Sequence, residues 1–264
     1  MRRRKHAAAF LVAAAGVVLA LAGPAPAQAA PPDYAGWAEL LQKHYDPAKG
    51  MNYKALKADK PALDRLRREL AQVDVAALPR PDQLAYWINL YNVSVVGIVV
   101  DNYPVESIRD LSTDPIIRLN VFKKASVPVK GGKMSLNDIE NDKVRAGFKD
   151  PRIHFAINCA AVSCPPIRPE PYVGARVDQQ LDDQTRKFLN GPKGVRLEQD
   201  GDTLVVHTTK VMDWFGDDFE RWGGGRRAFL QKHLAPEKKR RLEAAKKVEI
   251  EFDDYSWKLN DASR

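Results

Sequence analysis

Residues 84–100 read LAYWINLYNVSVVGIVV, and this stretch decides the fold. Leu84, Trp87, Ile88, Tyr91, Val95, Ile98 and Val99 recur at i, i+3, i+4, i+7 spacing, which predicts an α-helix. From Val93 to Val100 the opposite face is also largely apolar, so this helix has almost no side to give to water. It is expected buried and central near residues 83–101, after Pro79 and Pro81 and before the Asn102/Pro104 stop. Two amides interrupt its apolar surface. Asn89 and Asn92 stand i, i+3 on one face. A buried amide without partners costs about 1–3 kcal/mol, so both are expected to bond the backbone of a neighbouring loop.

On either side the pattern is mixed. Residues 34–44 and 52–75 carry apolar positions at helical spacing. Residues 122–129 read as a strand, and Gly131-Gly132 as a turn. Ser135 begins a helix reaching Arg145, with Asp138 as its acidic N-terminal partner. Residues 152–158 alternate as a strand, and 177–189 form an amphipathic helix ending at Asn190-Gly191. Residues 195–197 and 203–207 bracket a polar hairpin turn. Helical pieces follow over 212–222, 226–233 and 236–247, then a late strand over 248–252. No internal repeat or long linker divides the chain. The expected class is α+β: one helix-rich domain with a small mixed or antiparallel sheet, long enough to bury its own core.

The first residues have a different character. Residues 2–5 are RRRK, 7–21 are uncharged and apolar, and Ala27-Gln28-Ala29 is a small-x-small cleavage pattern. The apolar run is shorter than the ~20 residues a bilayer span needs, and no later segment is expected to span one. The protein is therefore expected to be exported, periplasmic or secreted, after cleavage near Ala29. Loss of the four leader cations lowers the formal charge from +8 to +4. Residues 226–247 hold nine Lys/Arg against Glu237 and Glu243, net +7. Such a segment is either a solvated helix face or a peripheral contact with an anionic surface. No nucleic-acid motif accompanies it, so a nucleic-acid partner is not expected.

The chemistry gathers in residues 150–167, DPRIHFAINCAAVSCPPI. Here lie the only two cysteines, Cys159 and Cys164, with His154, Asn158 and Ser163. In an exported protein a close cysteine pair reads first as a disulfide. So short a loop would gain only about 2 kcal/mol from closure. The four-residue spacing is not that of a two-residue redox motif. No second His/Cys pair completes a zinc set, so no metal and no other cofactor is implied.

The sharper reading is nucleophilic: a thiolate, an imidazole base and an amide to orient the ring. His154 is the natural base, with Asn158, Asn89 or Asn92 as orienting groups. On a straight strand, five residues at ~3.3 Å would separate His154 from Cys159 by ~16 Å. The chain must therefore fold back after Asn158, and Cys164 becomes the more reachable partner if residues 160–163 make a tight return. The quieter reading leaves His154 structural, on a polar strand face with Arg152, Ala156 and Asn158. His207 is a spare candidate, whereas His44 and His233 are expected on surface helices. Trp214, Tyr255 and Trp257 either line a groove or pack the core.

Seven blocks occur in order: YWINLYN (86–92), YPVESI (103–108), SLNDIE (135–140), FKDPRIHFAINCAAVSCPPI (148–167), LDDQTRKFLN (181–190), DWFGDDF (213–219) and YSWKLND (255–261). Together they resemble the domain-of-unknown-function family numbered 547, over roughly residues 81–261. That family has no settled biochemical activity, so the resemblance implies a fold and a set of positions rather than a reaction. With the leader pattern, the expected division is a signal peptide (1–29), an N-terminal helical extension (30–80) and a family domain (81–261). There is one departure. The residue after Ile139-Glu140 is often histidine in such sequences and is Asn141 here. No imidazole role carries over at that position.

Two functions remain open at this level. One is a cysteine–histidine hydrolase or acyl/amide transferase acting on a small-molecule, peptide or envelope-polymer ligand. The other is a non-catalytic binding or envelope-structural domain with a Cys159–Cys164 bridge.

Overall fold

The computed structural model of this protein describes residues 29–111 and 120–264. Apart from Ala29, the expected signal peptide lies outside the described residues. The chain enters through α1 (Ala35–His44), a hairpin of β1 (Tyr45–Asp46) and β2 (Gly50–Met51), then α2 (Tyr53–Ala58) and α3 (Lys60–Ala71). The helix expected over 52–75 is thus two helices, broken at Asp59, with Pro61 in the first turn of the second. Proline is tolerated there because a first-turn N–H has no intrahelical partner.

The central helix, α4 (Arg80–Asn102), has every residue from Leu84 to Val100 buried. By length and mean hydropathy it could cross a membrane, but 94% of its apolar window lies inside the protein. A helix apolar all round is a core helix in such a setting, and α2 and α3 pack against it. The strand expected over 122–129 shrinks to β3 (Val127–Val129), paired antiparallel with β4 (Gly132–Met134). Ser135 and Asp138 then form a reciprocal capping box, each side chain satisfying the other's backbone N–H. From this cap, α5 (Leu136–Asp138) widens into a π-helical stretch, Ile139–Arg145, before α6 (Ala146–Phe148).

The strand expected over 152–158 is not formed. The chain makes a 3-10 helix over Pro151–Phe155 instead. Asp150 caps it, its Oδ1 accepting the Arg152 N–H at 2.9 Å, and Pro151 occupies the first position. None of the three small sheets includes this segment, so no ladder competes with the cap. His154 is consequently buried along with Ile153 and Phe155, and no polar strand face meets solvent.

Next come α7 (Val177–Asn190) and the hairpin of β5 (Arg196–Asp200) and β6 (Thr203–Thr208). Four helices follow: α8 (Val211–Trp214), α9 (Gly216–Arg221), α10 (Gly225–His233) and α11 (Pro236–Ala244). They return the chain to β7 (Lys247–Phe252), which pairs parallel to β6 and makes this sheet mixed. The architecture is α+β, as its periodicities predict. A second apolar cluster, including Phe155, Phe188, Phe219 and Phe229, joins the sheet to α7, α9 and α10.

The two histidines expected at the surface are buried. His44 Nε2 lies 2.6 Å from Asp59 Oδ2, and His233 donates from Nδ1 to the Phe229 carbonyl at 2.8 Å. Both sit on the apolar-facing side of their helices. Several cations of residues 226–247 have partners within the fold. Arg227 donates to the Leu242 and Ala245 carbonyls, Lys238 to the Val195 carbonyl, and Arg226 to Glu220.

Candidate functional site

Two amides of α4 organise the middle of the molecule. Asn92 Nδ2 donates to the Ala156 carbonyl at 2.9 Å, and its Oδ1 accepts the Asn158 N–H at 2.9 Å. Asn89 treats Tyr172 in the same two-way manner, at 2.7 and 3.0 Å. Each side-chain amide thus imitates one rung of backbone pairing, and only Asn92 grips the cysteine segment. Asn158 then folds that segment. Its Oδ1 accepts from the Ala160 N–H at 2.8 Å, and its Nδ2 donates to the Pro165 carbonyl at 2.7 Å. Ala160 adopts φ +61, a left-handed conformation unusual for a residue with a Cβ. The Cys164 N–H closes the turn on the Ala161 carbonyl at 3.0 Å.

The C-terminal tail secures the loop from outside. Asn260 N–H donates to the Ala160 carbonyl at 3.0 Å, and Val162 N–H to the Lys258 carbonyl at 2.9 Å. The tail is itself joined to β2, through the Met51 N–H on the Asn260 carbonyl at 3.0 Å.

This return brings the Cys164 sulfur to the Cys159 backbone N–H, 2.9 Å away, while the Cys159 sulfur lies 3.0 Å from the Tyr255 hydroxyl. Both cysteines are free, and the expected bridge is not formed because the sulfurs are not at disulfide distance. Each sulfur faces a hydrogen-bonding group instead. Burial and the neighbouring Cys164 push the Cys159 thiol well above its usual range. Burial also acts against the Cys164 thiolate, but hydrogen bonds from Cys159 and Tyr255 outweigh it and lower that thiol.

His154 is positioned from the other side. Its Nε2 lies 2.8 Å from Asp218 Oδ2, at the start of which α9 carries the carboxylate, and Arg145 Nε donates to the same oxygen at 2.6 Å. The ring stacks on Phe215, with centroids 4.0 Å apart and planes at 16°. Burial pushes the Asp218 carboxyl up, yet His154 and Arg145 together hold it well below the usual carboxylate range. Burial lowers His154 against the upward pull of Asp218, so the imidazole is neutral. With Nε2–H on the carboxylate, the basic lone pair lies on Nδ1. That atom is buried and has no partner among the described residues.

His154, Cys159 and Cys164 all line one cleft of about 290 Å³. Glu140, from the π-helical stretch, lines it too and receives the Tyr91 hydroxyl at 3.4 Å. Burial raises this carboxyl to about 7, against the opposing charge of Arg145. Trp214, Tyr255 and Trp257 line the cleft; Trp257 also packs against the core, and Trp214 is 46% exposed. His207 lies elsewhere, between Glu198 and Glu251 at 3.1 and 3.2 Å. Asn141 donates to the Asn137 carbonyl at 3.0 Å and accepts from Arg145, and so helps to place the cation beside Asp218. Among the described residues, no group of three or more His, Cys, Asp or Glu is arranged to hold a metal ion.

The group expected to orient the imidazole was Asn158, Asn89 or Asn92. Those amides bond backbone, and the imidazole's partner is Asp218. The signal for Asp218 was its place in the DWFGDDF block, just as Glu140 closes SLNDIE and Tyr91 sits in YWINLYN. Nothing local distinguishes Asp218 from its neighbour Asp217.

Residues 75–189 match the family model described as "Protein of unknown function, DUF547". Neither the comparison with curated proteins nor that with solved structures gives a match. The matched segment supplies Tyr91, Glu140, His154 and both cysteines, whereas Asp218 and the aromatic residues at 214, 255 and 257 lie beyond it.

Proposed function

We propose that this member of the DUF547 family is a cysteine-dependent enzyme that hydrolyses or transfers an acyl or amide group. Cys164 is the nucleophile, His154 the base and Asp218 the group that holds the imidazole. One observation carries the reading. His154 is tied through Nε2 to a carboxylate, its Nδ1 is buried and unpartnered, and it lines the same cleft as two free thiols.

The chemistry follows from these roles. Asp218 fixes the tautomer and favours the imidazolium once it forms. The Cys159 N–H and the Tyr255 hydroxyl favour a thiolate at Cys164, which passes its proton to Nδ1. The sulfur attacks the acyl carbon, and the imidazolium returns the proton to the departing amine or alcohol. Water, or an acceptor amine or alcohol, then attacks the thioester, gives its proton to Nδ1 and restores the thiol. The basic, apolar and small-residue order of residues 2–29 supports an exported enzyme acting on peptide or envelope material.

The test combines thiol labelling with a panel of chromogenic esters and amides. One thiol is expected to react rapidly with iodoacetamide, and Cys164→Ala removes both this reaction and turnover, while Cys159→Ala keeps the labelling. If neither thiol labels rapidly and no substrate is turned over, the chain is a binding or structural domain; turnover that is unchanged in Cys164→Ala and His154→Ala overturns the proposal as well.

A further inference from the structure

We infer that the cleft takes a substrate bearing a protonated amine, seated between the Glu140 carboxylate and the faces of Trp214, Tyr255 and Trp257. This names the substrate class of the site proposed above and rests on that reading only for what happens to the substrate after binding.

The charge pattern of the cleft is the first argument. The chain carries a formal charge of +8, yet among the described residues no lysine or arginine lines this cleft. Glu140 is the one carboxylate among the described lining residues, and His154 in the same cleft is neutral. Tyr91 offers Glu140 a single long hydrogen bond of 3.4 Å, and Arg145, five residues on, is bonded to Asp218 at 2.6 Å. Among the described residues, Glu140 therefore faces the cleft without a cation bonded to it. A half-buried carboxylate in an aromatic-walled cleft excludes anionic ligands and gains most from a ligand that brings the missing positive charge.

The second argument is the aromatic wall. Trp214 is the one exposed large hydrophobic among the described residues. Its ring lies 4.6 Å from Tyr255 and 5.9 Å from Trp257, and Tyr255 and Trp257 are 4.9 Å apart. Three electron-rich rings grouped at one place attract ammonium groups through their quadrupoles. Trp257 already has the Arg109 guanidinium over it at 5.1 Å, although Arg109 is not a cleft-lining residue. The wall is also fixed relative to the thiols, because Ser256 N–H donates to Ser163 Oγ at 3.0 Å. A lysine or diamino-acid side chain next to the scissile amide meets both features at once.

The measurement is a fluorescence titration of the purified chain with Nα-acetyl-lysine amide, Nα-acetyl-norleucine amide and N-acetylglucosamine. It is run in the wild type and again in the Cys164→Ala background, so that amine binding and acyl chemistry are read separately. The lysine probe is expected to quench tryptophan emission saturably and to bind about tenfold or more tightly than the norleucine probe. Glu140→Gln is expected to remove that preference, and Trp214→Ala to weaken the lysine probe about tenfold, with circular dichroism confirming that both variants are folded. The inference is overturned if norleucine amide or the sugar binds as well as the lysine probe. It also fails if a folded Glu140→Gln variant keeps the preference. Should turnover be absent while the lysine preference holds, the amine site stands and the acyl reaction falls.

Discussion

His154 Nε2 and Asp218 Oδ2 lie 2.8 Å apart although 64 residues of chain separate them. That contact joins the 3-10 helix at Pro151–Phe155 to α9, and Arg145 locks it by donating to the same carboxylate oxygen. It also leaves Nδ1 as the imidazole nitrogen without a partner among the described residues.

Asp218→Asn tests this arrangement through pH. The folded carboxyl is held far below its unfolded value near ~3.9. Its stabilisation is therefore complete above the unfolded value and is lost as pH falls towards the depressed folded one. Replacing it leaves Arg145 and His154 without a charged acceptor, a loss of about 2 kcal/mol in urea unfolding at pH 7. The gap between variant and wild type should narrow below about pH 4, and iodoacetamide labelling of Cys164 should slow at pH 7. A gap that does not change with pH would remove the charge from the explanation.

The two asparagines of α4 separate structure from site. Asn89→Ala and Asn92→Ala each strand one buried carbonyl and one buried N–H, so each should lose about 2–4 kcal/mol of stability. Only Asn92→Ala releases the cysteine segment, through Ala156 and Asn158. Under native conditions it alone should make Cys159 as reactive as Cys164, as read by mass spectrometry of labelled peptides. Equal labelling patterns in the two variants would show that Asn92 has no special hold on the loop.

Glu140→Gln reverses the usual sign. Burial raises this carboxyl to about 7, so between its unfolded value near ~4.3 and that pH the folded state holds more protons than the unfolded one. Wild-type stability attributable to Glu140 thus falls as pH rises through this window and levels off above it. The glutamine variant lacks the decline. It should match wild type near pH 4 and exceed it at pH 8 by up to about 4 kcal/mol, at roughly 1.4 kcal/mol per unit. Parallel stability curves from pH 4 to 8 would refute the burial of an uncompensated carboxyl.

Gly50 links the N-terminal hairpin to the cysteine loop through the tail. It adopts φ +106, and a Cβ there would overlap the Asn260 carbonyl. Asn260 in turn holds Ala160. Gly50→Ala is expected to lose about 1–3 kcal/mol through backbone strain and to raise thiol labelling at both cysteines. Hydrogen exchange should show loosening at residues 159–164, and unchanged protection there would mean that the tail does not transmit the strain.

The sequence by itself determined those elements whose causes lie within a few residues. The continuous apolar surface of residues 84–100 admits only a buried helix, and α4 is that helix. Ser135 and Asp138 announce a capping box, and the polar turn at 199–202 announces the hairpin of β5 and β6. Alternation at residues 152–158 misled, because period-two burial needs a partner strand and none lies alongside. The Asp150 cap and Pro151 then turned the segment into a 3-10 helix.

Only the tertiary structure decided the site. Cys164 rather than Cys159 receives the backbone N–H, Asp218 rather than an asparagine holds His154, and Glu140 faces the cleft with no cation of the described residues bonded to it. Periodicity and capping are short-range and readable in one pass along the chain. Hydrogen bonds and charge pairings across tens of residues depend on how whole elements pack, and packing brings Asp218, not the adjacent Asp217, to the imidazole.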